Sequence, residues 1–90
     1  MALNSNLPVS LCFHALAEPT RIQILELLKE NECCVQDMIL ALHVKQSYLS
    51  FHLKTLKQAG LVNAHKRGRR VYYSLNANQF GKLEAYLSAY

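Results

Sequence analysis

The sequence predicts a mainly helical domain carrying one two-stranded β-hairpin, an α+β fold, and three observations point to it. Apolar residues recur at helical spacing along most of the chain. The period then drops from 3.6 to 2 between Leu61 and Leu75, as strands require. Lys45 to Leu75 also carries Lys45, Lys54, Lys57, Lys66, Arg67, Arg69 and Arg70 without a single acid, so a net charge of only +4 hides a strong segregation.

Taken in order, Leu7, Leu11, Cys12, Ala15 and Leu16 fit one side of a first helix from about Pro8, with Phe13 on the other side. It is apolar nearly all round, so it needs neighbours on two sides. Ala17-Glu18 ends it, because a residue before proline avoids helical dihedrals. Pro19 suits the first turn of a second helix, and Ile22, Ile24, Leu25, Leu27 and Leu28 give that helix a broad buried face as far as about Glu30. Asn31-Glu32 is a turn and Cys33-Cys34 follows. Val35, Met38, Ile39 and Leu42 then define a short third helix.

His43-Val44 breaks that helix, and a fourth runs from Lys45 to Gly60 with two different faces. Leu49, Leu53, Leu56 and Ala59 form an apolar stripe that must meet a core. Gln46, Ser47, Tyr48, Ser50, Phe51, Lys54 and Lys57 remain outside: polar groups at the N-terminal end, lysines further along. Two short helices a few residues apart, the second with a polar outer face, form a helix-turn-helix. Past Gly60, the expected C-cap, Leu61–Lys66 and Arg70–Leu75 alternate as strands around a tip of Arg67, Gly68 and Arg69, where glycine permits positive φ. This is a basic wing. Phe80, Leu83, Leu87 and Tyr90 mark a fifth helix with nothing after it to cover it, so it is assigned with the first helix to a dimer interface.

Ninety residues make a single domain, spanning 1–90, in which half the residues are hydrophobic. A core this small is marginal alone, and a homodimer uses the excess apolar surface. No signal peptide and no apolar run of about 18 residues is visible, so a cytoplasmic protein with no membrane contact is expected. Three cysteines, an odd number, read as reduced thiols rather than a disulfide framework. An enzyme is not expected. No carboxylate pair sits beside an apolar pocket, Ser47 and Ser50 have no local base, and the glycines are isolated.

Helix, helix, short helix, basic helix, hairpin and terminal helix make a winged helix-turn-helix. Four blocks, AEPTRIQILELL (17–28), CVQDM (34–38), QSYLSFHLKTLKQAGLV (46–62) and RGRRVYYSL (67–75), resemble the ArsR/SmtB family of bacterial repressors. The resemblance covers nearly the whole chain. It implies a homodimer seated on a roughly palindromic double-stranded DNA operator, which it leaves when an inducer binds. By position it places DNA reading on Gln46, Ser47, Tyr48, Ser50 and Phe51, with Lys54 beside them, and the wing on Lys66, Arg67, Arg69 and Arg70. Two departures stand out. Lys45 occupies the place of the family's Ser or Thr N-cap, so a bond of about 1 kcal/mol is missing, with Ser47 the nearest substitute. Phe51 stands where a polar or basic residue is usual, either against a thymine methyl or turned into the core.

The resemblance also implies an effector site for soft ions at the start of the third helix, where the family carries a Cys-Val-Cys sequence. This chain has Cys33-Cys34-Val35-Gln36, so Cys34 matches, Gln36 replaces the second thiol and Cys33 is extra. Three readings stand open. Cys33 and Cys34, with Cys12 as the only candidate third ligand, bind an inducer such as As(III) or Sb(III); the thiols form a redox or persulfide switch; or they carry no effector and pack as small hydrophobes. The fold itself requires no cofactor. The family's zinc site on the terminal helix is unsupported, since Asn76 to Tyr90 has only Glu84 as a ligand. His14 and His43 are read as surface residues, His52 as a structural or phosphate hydrogen-bonding group, and His65 as a wing residue. A winged-helix module that meets an acidic protein or RNA is the alternative from another class.

Overall fold

The computed structural model describes residues 9–90, and Leu7 and Pro8, expected at the start of the first helix, lie outside them. The order is α1 (Val9–Leu16), α2 (Pro19–Glu30), β1 (Cys33–Cys34), α3 (Val35–Leu42), α4 (Gln46–Gln58), β2 (Val62–Arg67), β3 (Arg70–Leu75) and α5 (Ala77–Ser88). Several helix ends have an identifiable cause. Glu18 caps α2 by accepting the Arg21 N–H at 3.0 Å, and Pro19 fills the first turn. Asp37 accepts the Cys34 N–H at 3.1 Å at the start of α3, and His43 ends α3 in the left-handed region at φ 55°. Asn76 caps α5 through the Gln79 N–H.

Helix α4 closes in a Schellman motif. The Gly60 N–H donates to the Lys57 carbonyl at 2.9 Å and the Leu61 N–H to the Leu56 carbonyl at 3.1 Å, with Gly60 at φ 77°. Leu56 and Leu61, which this motif brings together, are both fully buried. At the other end Lys45 offers no side-chain cap, as expected from its chemistry.

Leu49, Leu53, Leu56 and Ala59 are buried as the stripe predicts, packed with Ile24, Leu25 and Leu28 of α2, Met38 of α3, Cys12 and Ala15 of α1, and Leu83 of α5. Burial of a leucine such as Leu53 contributes about 1.5–3 kcal/mol. The inner face of α2 differs from expectation. Ile22 is exposed, and the buried position beside it belongs to Arg21.

The hairpin is part of a larger sheet. Strand β1 pairs antiparallel with β3, Cys33 opposite Tyr73 and Cys34 opposite Tyr72, giving the order β1-β3-β2. The cysteine pair, read as the approach to α3, is therefore also a sheet edge, because two extended residues ahead of α3 suffice to hydrogen-bond β3. Arg67 faces Arg70 across the tip. The loop is just Gly68-Arg69, with positive φ at Gly68 alone, the pattern of a type II′ turn.

Candidate nucleic-acid interface

Helical geometry divides α4 cleanly. Gln46, Ser47, Tyr48, Ser50, Phe51 and Lys54 are all exposed, while Leu49, His52, Leu53 and Leu56 face inward. Phe51 is 62% exposed, so its side chain points outward rather than into the core. Its ring meets the His52 imidazole edge-on at 5.2 Å, and Tyr48 does so at 4.5 Å. Tyr48 is further tied to α2 by a 3.0 Å hydrogen bond between its hydroxyl and that of Thr20. Two aromatic side chains of the outer face are thus held from behind rather than free to swing.

Gln46, at the first turn of α4, shares a cavity of about 310 Å³ with Cys34, Val35 and Gln36 at the start of α3 and with Arg69, Arg70 and Val71 of the wing. The N-terminal end of α4 and the wing therefore flank one concave, cationic surface. Its chemistry suits a polyanion. Guanidinium groups and amides line it, and no carboxylate does.

The wing cations are not equivalent. Lys66 and Arg69 are exposed, with no ion-pair partner among the described residues. Arg70 directs Nη1 toward Cys34 Sγ at 3.6 Å. Arg67 is paired with Glu32, and its guanidinium lies 4.0 Å from the centre of the Tyr72 ring. Glu32 also holds His65 Nε2 at 3.0 Å. The acid-free character of residues 45–75 therefore ends in three dimensions, where Glu32 folds over from ahead of β1.

The three cysteines do not come together. Cys12 Sγ donates to the Ala59 carbonyl at 3.4 Å and receives Gln79 Nε2 at 3.6 Å, which ties it to the end of α4. Cys33 Sγ donates to the Asn31 carbonyl. Cys34 is buried beside a guanidinium. Adjacent residues of a strand project to opposite faces, so Cys33 and Cys34 do not converge. Among the described residues no group of three or more His, Cys, Asp or Glu side chains is placed to hold a metal ion. Partial burial pushes the Cys33 thiol above its ordinary pKa, with Asp37, Cys34 and Glu32 acting in the same direction. That disfavours the thiolate a soft ion needs. The three thiols as placed do not fit a soft-ion site.

Residues 18–64 match the family model of bacterial regulatory proteins of the arsR family, a span that holds α2 with its N-cap, β1, α3, all of α4 and the start of β2. The chain belongs to the ArsR family. Among ArsR-family relatives it is 49% identical over 61 residues to the HTH-type transcriptional repressor SmtB of Mycobacterium tuberculosis, covering 68% of this chain and 45% of that protein. It is 42% identical over 71 residues to the arsenical resistance operon repressor of Escherichia coli K12, covering 78% and 60%. The chain thus spans less than two thirds of either relative. A solved homodimeric winged helix-turn-helix DNA-binding domain of Mycobacterium bovis, described as a possible ArsR-family regulator, superposes with a TM-score of 0.77 at 32% identity, over 99% of this chain and 88% of that one. The winged helix-turn-helix fold follows.

Sequence reasoning gave Arg21 no role. It is 5% exposed and makes three contacts inside the molecule: Nε to the Ala15 carbonyl at 2.8 Å, Nη2 to the His14 carbonyl at 3.1 Å and Nη1 to His52 Nδ1 at 2.9 Å. Its place at the first turn after Pro19, on the same side as Leu25 and Leu28, was the available signal.

Proposed function

We propose that this chain is a sequence-specific DNA-binding transcriptional repressor acting as a homodimer. One observation carries the reading: Gln46, at the start of the exposed, acid-free face of α4, shares a cationic cavity with Arg69 and Arg70 of the wing. In the proposed mode the wing and Lys54 neutralise phosphates and set the register, while Gln46, Ser47, Tyr48, Ser50 and Phe51 reach base edges in the major groove. Phe51, pointing outward, suits a thymine methyl.

Dimerisation is supported by apolar surface on the terminal helices. Leu11 and Phe13 of α1 are exposed, as are Leu87 of α5 and Tyr90 after it, Tyr90 by 89%. Phe13 lies 6.4 Å from Tyr86, which joins the two helices into one patch. Leu83, by contrast, belongs to the chain's own core. Paired subunits present two α4 helices about 34 Å apart, one turn of DNA.

Release by an inducer completes the proposal; one relative is named as the repressor of an arsenical resistance operon. Arsenite or antimonite at Cys12, Cys33 and Cys34 is not the favoured inducer, given the separation of the thiols. Selection of duplexes from a random library, followed by footprinting, tests the main claim. A protected site with two-fold symmetry is expected. Equal retention of every polyanion, RNA included, would instead support the protein- or RNA-binding module.

A further inference from the structure

The first turn of α2 grips the reading helix with two neighbouring side chains. Thr20 and Arg21 follow Pro19 there, and they meet Tyr48 and His52, which are four residues apart and so share one side of α4. The inner contact is buried. Arg21 Nη1 lies 2.9 Å from His52 Nδ1, and Arg21 also donates to the His14 and Ala15 carbonyls at the end of α1. The outer contact is at the surface, where the Thr20 and Tyr48 hydroxyls stand 3.0 Å apart. The Tyr48 side chain is therefore held at two points: its ring stands edge-on to the His52 imidazole at 4.5 Å, and its hydroxyl is tied to a second helix. It is still 44% exposed, so its outer edge remains available to a partner.

We propose that Thr20 is a positioning residue that sets base specificity through Tyr48: it takes the phenolic proton, fixes the ring and leaves the phenol oxygen to accept from an exocyclic base amine. This rests on the DNA-binding reading above. Geometry alone allows either hydroxyl to donate, and chemistry decides the direction: a phenol is the better donor and an aliphatic hydroxyl the better acceptor. With its proton committed to Thr20, the Tyr48 oxygen offers only lone pairs. Phosphate oxygens are acceptors as well, so the DNA backbone cannot satisfy it. In the major groove the donors are the N6 amine of adenine and the N4 amine of cytosine, and each base pair carries one of them. An acceptor held in one place therefore tells A·T from T·A and C·G from G·C by the side on which the amine stands. Fixing the ring beforehand also spares the cost of ordering it when DNA arrives.

The test deletes single groups on both sides of the contact. Duplexes are first selected from a random library by wild type and by Tyr48→Phe. The base pair at which Tyr48→Phe loses preference is the one the phenol reads. That pair's amine is then removed from the wild-type-selected duplex in one half-site, with purine in place of adenine or pyrimidinone in place of cytosine. Wild type should bind the amine-deleted duplex about two- to tenfold more weakly, the loss expected for one hydrogen bond. Tyr48→Phe should lose clearly less, because it has no oxygen to leave unpaired. Thr20→Val keeps the branched shape and removes the hydroxyl, which unpins the phenol, so it too should lose less than wild type. Thr20→Ser restores the hydroxyl and should lose as much as wild type, a recovery that a purely structural role for Thr20 would not produce. The proposal is overturned if Thr20→Val is as sensitive to the missing amine as wild type, or if Tyr48→Phe is. Selection by Tyr48→Phe of the same bases as wild type at every position would also overturn it, and that comparison stands whether or not Thr20→Val folds. Failure of wild type to select any duplex overturns the DNA reading itself, and this proposal with it.

Discussion

Replacing Glu32 with glutamine should strengthen DNA binding, although Glu32 lies outside both the reading helix and the wing hairpin. Its carboxylate holds Arg67 through one oxygen and His65 through the other. Glu32→Gln weakens that hold and turns Arg67 into an available phosphate partner. Each phosphate neutralised contributes about 0.9 to the slope of log affinity against log salt, so two subunits should steepen the slope by about 1.8. Between 50 and 200 mM salt that amounts to about tenfold more affinity lost than in wild type, starting from a tighter complex at low salt. The pair is largely exposed, so folding stability should change by no more than about 1 kcal/mol. Fluorescence anisotropy with a labelled selected duplex across that salt range measures the slope, and thermal unfolding checks the fold. A slope equal to or shallower than wild type would refute the claim that Glu32 restrains Arg67.

Other perturbations test separate parts of the account. Arg69→Ala should weaken binding to all duplexes alike and reduce the salt slope by about 1.8 per dimer, whereas Ser47→Ala or Ser50→Ala should erode discrimination between duplexes with little change in slope. Leu53→Ala should cost about 2–5 kcal/mol in denaturant unfolding, since it empties the centre of the core. Gly60→Ala should destabilise by about 1–2 kcal/mol, because Gly60 sits at φ 77° and an added Cβ would lie 3.0 Å from Gln79 Nε2. Asp37 is held below the ordinary carboxylate range, chiefly by the Cys34 N–H. A depressed folded-state pKa gives stability above the unfolded value that is lost as pH falls through the folded one, so Asp37→Asn should flatten the loss of unfolding stability on the acid side of the ordinary carboxylate range. Arsenite added to the DNA complex at micromolar concentration should leave it intact, as should Cys33→Ser with Cys34→Ser; release by arsenite in wild type but not in that double variant would show that the thiols converge after all.

What the sequence revealed was whatever periodicity and turn chemistry encode locally. The leucine stripe of α4, Pro19 at the start of α2, Gly60 at the end of α4 and Gly68 in the hairpin each act within a few residues, and each lies where its chemistry requires. The outward face of α4 could be read for the same reason. Features that depend on distant pairing were hidden. Cys33-Cys34 is too short to show strand alternation and becomes β1 only because β3 lies beside it. Arg21 meets a histidine 31 positions on and Glu32 an arginine 35 positions on, pairings that no local pattern encodes. The thiol site failed for that reason too: spacing along the chain placed Cys12 near no partner in particular, and the fold gives it to Ala59 and Gln79.

The central claim is that α4 reads bases while the wing grips the backbone. The most direct measurement is the ratio of affinities for a selected duplex and for the same duplex with its sequence scrambled, at about 150 mM salt. A reader of bases should show a ratio of at least about 10³. Equal affinities for the two duplexes would contradict the account, leaving only a cationic surface with no preference for sequence.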